Sequence, residues 1–274
     1  MLWRLAALAA AFVLFGYAGA VVDPVVVHYR VPIKGLEAPL RIVQLADIHA
    51  SLQDMPPRRI ARIVETVNAN DPDLVLLTGD MLGGKIIDQP GIKLEAAIAP
   101  LAGLNPRLAV VAVMGNHDND LWFPRVFARA GIPLLVGSFI DVGPLVIAGA
   151  DSAAHLPPPI NGLNAAIAAA PPGKPIISMS HEPETFQLIQ GPTQLHLAGH
   201  SHGGQIMLPL IGGPRSNAFL DSHRRGLYRV NGRWLLVSSG LGTAIVPMRI
   251  GVPPEIVVVT LVPHSVGRNS GTER

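Results

Sequence analysis

Apolar positions in this chain fall into three regimes. From Leu5 to Val22 they run for 18 residues without a charge, between Arg4 and Asp23-Pro24. A helix of that length spans about 27 Å, enough for a bilayer core. Apolar on every face, it does not read as a buried core helix. Two interpretations stand: an uncleaved anchor, favoured by the length of the run, or a secretory signal in which Ala18-Gly-Ala20 resembles a small-residue cleavage site. Arg4 argues for an inside amino terminus, and Arg30, Lys34 and Arg41 argue against it. The expectation is a single anchor in the inner (cytoplasmic) membrane with the bulk of the chain outside the cytoplasm.

In the second regime short apolar runs alternate with helical spacing. Val25 to Pro32 alternates and is β-branched, which predicts a strand, and Leu40 to Ala46 predicts the next. Ile60, Ile63, Val64 and Val67 mark one face of a helix over Arg58 to Asn68, opened by Pro56-Pro57 and closed by Asn70-Asp71-Pro72. Leu74-Val-Leu-Leu-Thr-Gly-Asp80 reads as a buried parallel strand with an acid at its tip. A helix within Ile86 to Leu101, a strand at Ala109 to Met114 and a short helix over Trp122 to Ala130 follow. This order predicts a mostly parallel sheet.

The third regime begins at Leu145. Strands are expected at Leu145 to Ala148, Ile176 to Met179, Gln194 to Ala198, Gly226 to Val230, Trp234 to Val237 and Ile256 to Leu261. Asn231-Gly232 marks a tight hairpin, and helices are expected over Asn161 to Ala170 and Glu182 to Gln190. These strands predict a second sheet packed on the first. The expected organisation is an anchor or signal over residues 1–23, one α/β domain over 24–262 and a flexible tail over 263–274.

Polar residues gather where the apolar runs stop. Asp47-Ile-His49, Gly79-Asp80, Gly115-Asn116-His117-Asp118, His181 and Gly199-His200-Ser-His202 all follow predicted strands. Residues i and i+2 of an extended segment share a face, so Asp47 with His49, and His200 with His202, can each reach one ion. Taken singly, Asp-x-His is a common surface turn, Asn116 a common cap and His181 an ordinary core histidine. With Asp118 set aside, the segments together supply two carboxylates, an amide and five imidazoles.

Composition narrows the chemistry. Of 274 residues, 49% are hydrophobic and 15% charged, which suits a deep core and excludes disorder. The formal charge of +2, with no Lys/Arg cluster among aromatics, gives no footprint for nucleic-acid binding. With no cysteine, disulfides and thiolate metal sites are excluded. The donors left suit two divalent ions of the hard-to-borderline kind, Mn²⁺, Fe or Zn²⁺. Two dications about 3.5 Å apart repel by roughly 19 kcal/mol at an effective dielectric of 20, so an anion must bridge them, and Asp80 is the natural bridge.

In this order the motifs resemble those of the calcineurin-like metallophosphoesterases. Gly199-His-Ser-His-Gly-Gly-Gln205, Ser239-Gly-Leu-Gly242, Pro247-Met-Arg249 and Pro253-Pro-Glu255 look like the bacterial branch with an N-terminal membrane segment. The resemblance runs from about Val25 to Leu261. It implies a four-layer α/β/β/α sandwich with the site at the strand tips. It also implies that Asp47, His49 and His202 bind one metal, that Asn116, His181 and His200 bind the other, and that Asp80 bridges. Hydrolysis of a phosphodiester, phosphomonoester or pyrophosphate by a metal-bridging hydroxide would follow, with His117 stabilising the transition state, protonating the leaving group or orienting a ligand. Ala46, where the branch often has serine, and Met81-Leu-Gly83, where a further acid is frequent, depart from the pattern without removing a ligand. Asp151, His155, Arg215, His223, Arg224 and Arg225 are candidates for substrate contact, and His196 for the core. An anchor makes a lipid-linked or envelope phosphoester attractive as substrate. The alternative is a non-catalytic metal-binding scaffold on the same fold, which would be expected to have lost ligands.

Overall fold

Strands buried on both faces need cover on both faces, and the chain provides it as two stacked sheets between layers of helix. The computed structural model describes residues 2–87, 91–118, 122–152 and 160–264. The first sheet has the order β1-β11-β2-β3-β4, with β1 at Val25–Ile33, β2 at Leu40–Leu45, β3 at Leu74–Thr78, β4 at Ala109–Val113 and β11 at Glu255–Pro263. β2, β3 and β4 are parallel neighbours, whereas β11 runs antiparallel to β2 and parallel to β1. The second sheet has the order β5-β6-β7-β8-β10-β9. Its strands are β5 Ser138–Asp141, β6 Val146–Gly149, β7 Ile176–Met179, β8 Thr193–Ala198, β9 Gly226–Val230 and β10 Arg233–Val237.

Alternate side chains divide the core. Ile42, Leu74, Leu76, Val111 and Val257 of the first sheet meet Ile147, Ile177, Leu195, Leu197 and Leu236 of the second. The opposite face of the first sheet, with Val43, Leu45, Val75 and Leu77, is covered by α2 (Pro57–Asn68), α3 (Leu94–Ile98) and α4 (Phe123–Arg129). α5 (Ile160–Ala169) covers the outer face of the second sheet through Leu163 and Ile167. α2 follows the expected spacing, with Ile60, Ile63, Val64 and Val67 buried and Pro57 at its first turn, where the missing N–H costs nothing. Buried Gln44 stitches the layers, its Nε2 donating to Thr78 Oγ1 at 3.0 Å and to the Ala198 carbonyl at 2.9 Å.

Several elements differ from expectation. β11 does not join the second sheet with the strands that precede it, but enters the first between β1 and β2. α3 lies within the expected Ile86 to Leu101 but fills only Leu94–Ile98 of it, while Lys85 pairs in extended form with Ile245 and the Ile86 N–H donates to the Ile245 carbonyl at 3.0 Å. The expected helix over Glu182 to Gln190 is a 3-10 turn at Pro183–Leu188. β5 and the five-residue α6 (Ala218–Ser222) carry no periodicity long enough to announce them.

α1 (Leu2–Val21) docks its C-terminal turns on the domain and leaves the rest exposed. Two glycines allow the approach: a Cβ at Gly16 would fall 2.5 Å from Met248 Cε, and one at Gly19 would fall 2.3 Å from the Arg249 carbonyl oxygen. Helix ends leave carbonyls unpaired, and arginines and the chain satisfy them here. The Arg249 N–H donates to the Gly16 carbonyl at 2.8 Å, and the Arg59 guanidinium donates to the carbonyls of Ala20, Val22 and Asp54. Asp54 continues the network to Lys85, whose Nζ also donates to the His49 carbonyl at 2.8 Å.

Candidate metal centre

β2, β3 and β8 end side by side, and the residues just beyond them turn sharply inward. Asp47, His49, Asp80, His200 and His202 have φ of 51, 44, 54, 68 and 49°. The pairs at i and i+2 therefore do not share the face of an extended strand, as the spacing suggests. The strands stop at Leu45 and Ala198, and left-handed backbone in the loops brings each pair to one side.

The atoms meet in two groups. Asp47, His49 and His202 each offer a donor within 4.8 Å of the others, and so do Asp80, His181 and His200. His49 Nε2 lies 3.1 Å from His202 Nε2, and His202 Nε2 lies 3.6 Å from Asp47 Oδ1. In the second group His181 Nε2 is 3.2 Å from His200 Nδ1 and 3.1 Å from Asn116 Oδ1. One atom touches both groups: Asp80 Oδ2 is 3.3 Å from His49 Nε2 and 3.1 Å from His181 Nε2.

Neighbouring carbonyls set the tautomers. His49 Nδ1 faces the Gly83 carbonyl at 2.7 Å and His181 Nδ1 faces the Thr78 carbonyl at 2.9 Å. A carbonyl only accepts, so each Nδ1 carries a proton and each Nε2 is turned into the cluster. His202 Nδ1 is buried with no hydrogen-bond partner among the described residues.

Electrostatics reinforce the geometry. Burial lowers His49 to about 3 against the pull of Asp80, and burial with His49 nearby holds His202 well below its ordinary value. Burial and the adjacent His181 lower His200 as well. Asp47 is raised to about 7 by burial, with His181 opposing and Asp80 adding to the rise. For Asp80 burial acts upward, but the charge and hydrogen bond of His181, then His49, overcome it and leave the carboxyl far below the usual range. Burial opposes His181 likewise, and Asp80 lifts it to about 10. Three neutral imidazoles with available lone pairs, two carboxylates and an amide oxygen, crowded at near-contact distance without thiols, are a donor set fitted to divalent cations.

Supporting residues came into view only with the structure. Asp118, quoted in its motif without a role, is buried and accepts from the N–H groups of Met81 and Gly115 at 2.8 and 2.9 Å, tying the loops after β3 and β4 together. The late glycine motif braces Asp47: the Gly242 N–H donates to the Asp47 carbonyl at 2.7 Å, and Leu241 N–H to that of Ala46 at 3.0 Å. Arg249, 1% exposed, donates to the Ser239 and Gly242 carbonyls, and Glu255 accepts the Ser239 N–H. His117 lies at the rim, exposed, its ring 5.3 Å from that of His49 and its N–H donating to Asp80 Oδ1 at 2.9 Å. His196 is core, held between Ser178 and Ser180 at 2.8 and 2.9 Å. Arg215 and Arg224 border a cavity beside His200 and His202, whereas His223 stacks on Phe219 and Asp151 accepts the Ser152 N–H. His155 and residues 265–274 lie outside the described residues.

Comparison with known proteins places this geometry. The profile of the family described as calcineurin-like phosphoesterase matches residues 40–209. The uncharacterised metallophosphoesterase YkuE of Bacillus subtilis is 30% identical over 239 residues, covering 81% of this chain and 78% of that one. A transmembrane protein with a metallophosphoesterase domain from Danio rerio is 30% identical, covering 92% of this chain, which spans 60% of that protein's length. The phosphodiesterase YaeI of Escherichia coli is 27% identical, covering 82% of this chain and 83% of its own.

Proposed function

The chain belongs to the calcineurin-like phosphoesterase family, which makes it a phosphoester hydrolase, and from that premise we propose a dinuclear, divalent-cation-dependent activity on a phosphodiester or phosphomonoester. In this reading Asp47, His49 and His202 hold one cation, Asn116, His181 and His200 hold the second, and Asp80 spans both. The observation that carries it is the single oxygen, Asp80 Oδ2, in reach of an imidazole from each group.

Bound cations supply Lewis acidity at the phosphoryl oxygens and bring the pKa of a water near neutrality. The chain supplies position. The Gly83 and Thr78 carbonyls orient His49 and His181, and the loops braced by Asp118 and Gly242 hold Asp80 and Asp47. His117 is the group left to the substrate side: exposed and anchored by its own N–H, it donates a proton to the departing oxygen or neutralises charge as it develops there. α1 serves as the membrane anchor in this proposal, as its length and apolar composition suit.

The test is hydrolysis of bis(p-nitrophenyl) phosphate and p-nitrophenyl phosphate by the full chain in detergent with Mn²⁺, repeated with Fe²⁺ and Zn²⁺. Turnover that a chelator abolishes and that Asp80→Ala lacks is the expected result. A folded, cation-loaded chain that hydrolyses neither compound would return the protein to the scaffold alternative.

A further inference from the structure

A cavity of about 410 Å³ opens beside the cluster, with His200 and His202 on its wall. Much of the remaining wall is apolar, with Ile206, Leu220, Ala244, Ile245 and Val246, and of its charged residues Arg224 is paired with Asp221 and Arg215 is the third. A phosphoryl group has no use for such a wall, because it is small, charged and strongly hydrated. Hydrocarbon does.

The segment from Ala244 to Ile250 joins this cavity to α1. Its first three residues line the cavity, and two residues after Val246 the side chain of Met248 lies against Gly16. Two residues span at most about 7 Å, so the cavity and the helix share one wall. A second path leads the same way. Tyr17 donates to the Gln53 carbonyl at 2.7 Å, Gln53 Nε2 donates to the Ile87 carbonyl at 3.0 Å, and Ile86 N–H donates to the Ile245 carbonyl.

Helix length then decides where that wall lies. The 20 residues of α1 make about 30 Å, the thickness of a hydrocarbon core. From Gly16 onward the helix is docked, and the free part from Leu2 to Phe15 makes only about 21 Å. The span is complete only if the docked turns also lie within the bilayer, which draws the adjoining domain surface into the interface. That surface is apolar. Leu210, Ile211, Ile86, Ile87, Ile245 and Leu52 are between 53 and 108% exposed. Leu210 and Ile211 form the tip of a turn closed by Leu208 and Gly212, next to the cavity residue Ile206, which pairs with Ile250.

We propose that this rim rests in the bilayer interface and that the cavity holds the hydrocarbon of a lipid-borne phosphoester, presenting its phosphoryl group to the cluster. The inference rests on the phosphoesterase reading above and adds the class of substrate.

Two measurements test it. The full chain, reconstituted in phosphatidylcholine–phosphatidylglycerol vesicles with Mn²⁺, is given p-nitrophenyl phosphodiesters whose second alcohol is methyl, butyl, octyl or dodecyl. The expected kcat/KM rises about two- to fourfold per methylene while the chain fills the cavity. Val246→Asn lowers the dodecyl-to-methyl ratio in the same vesicles, which separates the cavity from simple partitioning of the ester. Because the sequence has no cysteine, Ile87→Cys, Ile211→Cys and Glu37→Cys each give a single nitroxide site. Labels at 87 and 211 should be more accessible to oxygen than to a water-soluble nickel complex, and the label at 37, in the loop that precedes β2, should show the reverse. Turnover of the methyl ester with no dependence on chain length, or with a Val246→Asn ratio equal to that of the natural chain, overturns this inference alone, as do rim labels that favour nickel. Failure to turn over any member, and p-nitrophenyl phosphate as well, overturns the phosphoesterase reading with it.

Discussion

Left-handed backbone at a residue with a Cβ costs about 1–2 kcal/mol, and the cluster bears a cost of that kind at five positions. Asp80, at φ 54°, provides a direct measure. Asp80→Ala and Asp80→Gly should both lose turnover, and in chelator the glycine variant should be the more stable by about 1 kcal/mol in urea denaturation. Equal stabilities would show that no strain resides there. His117→Ala should retain its cations by elemental analysis while kcat falls by about 10²–10⁴-fold, the range for a lost proton donor. Loss of cations would instead make His117 a residue that orients the cluster. His196 supplies a pH dependence away from the cluster. Burial lowers it to about 3 from 6.5, so the unfolded chain takes up a proton that the folded chain refuses. Its contribution is complete above pH 6.5 and is lost as pH falls towards 3, at about 1.4 kcal/mol per pH unit. Stability of the natural chain should therefore fall more steeply below pH 6.5 than that of His196→Gln, and parallel curves would refute the assignment.

At the scale of elements, α1 is held by close backbone approach as well as by apolar contact. Gly19→Ala would drive a methyl into the Arg249 carbonyl, a rigid neighbour, and should undock the helix end at a cost of about 1–3 kcal/mol. Faster proteolysis between Val22 and Pro24, with a lowered melting temperature, is the expected sign. Such contacts were invisible in the sequence, where Gly16 and Gly19 read only as small residues in an apolar run. What was legible had a period. The four apolar positions of α2 and the unbroken run before Asp80 placed their elements within a residue or two. Aperiodic elements were not: β5 is four residues at a sheet edge, and the helix expected within Ile86 to Leu101 could not be bounded, since Lys85 pairs with Ile245, Ile86 bonds to it and α3 is only Leu94–Ile98. The site was legible by residue type and order, while the reason its i and i+2 pairs converge lies in backbone turned to positive φ, which strand periodicity does not describe.

At the scale of the molecule, two sheets share one inner core, and the loops beyond the strands of both contribute to the cluster: Asp47, His49 and Asp80 from the first, His181, His200 and His202 from the second. Neither half can therefore form the site alone. The strand that binds the arrangement together is β11, between β1 and β2, with Glu255 accepting from the Ser239 N–H at the head of the loop that braces Asp47. Pairing between segments so distant in sequence is slow to form. The consequence reaches protein synthesis. While the ribosome is still translating the stretch before Glu255, β1 has no neighbour and the loop that braces Asp47 lacks its Glu255 anchor, so the nascent chain must wait, ligands already made, until β11 has been translated. Chains arrested after residue 254 should be protease-sensitive and retain no cation pair, whereas chains arrested far enough beyond residue 263 for β11 to clear the exit tunnel should acquire both properties of the finished protein.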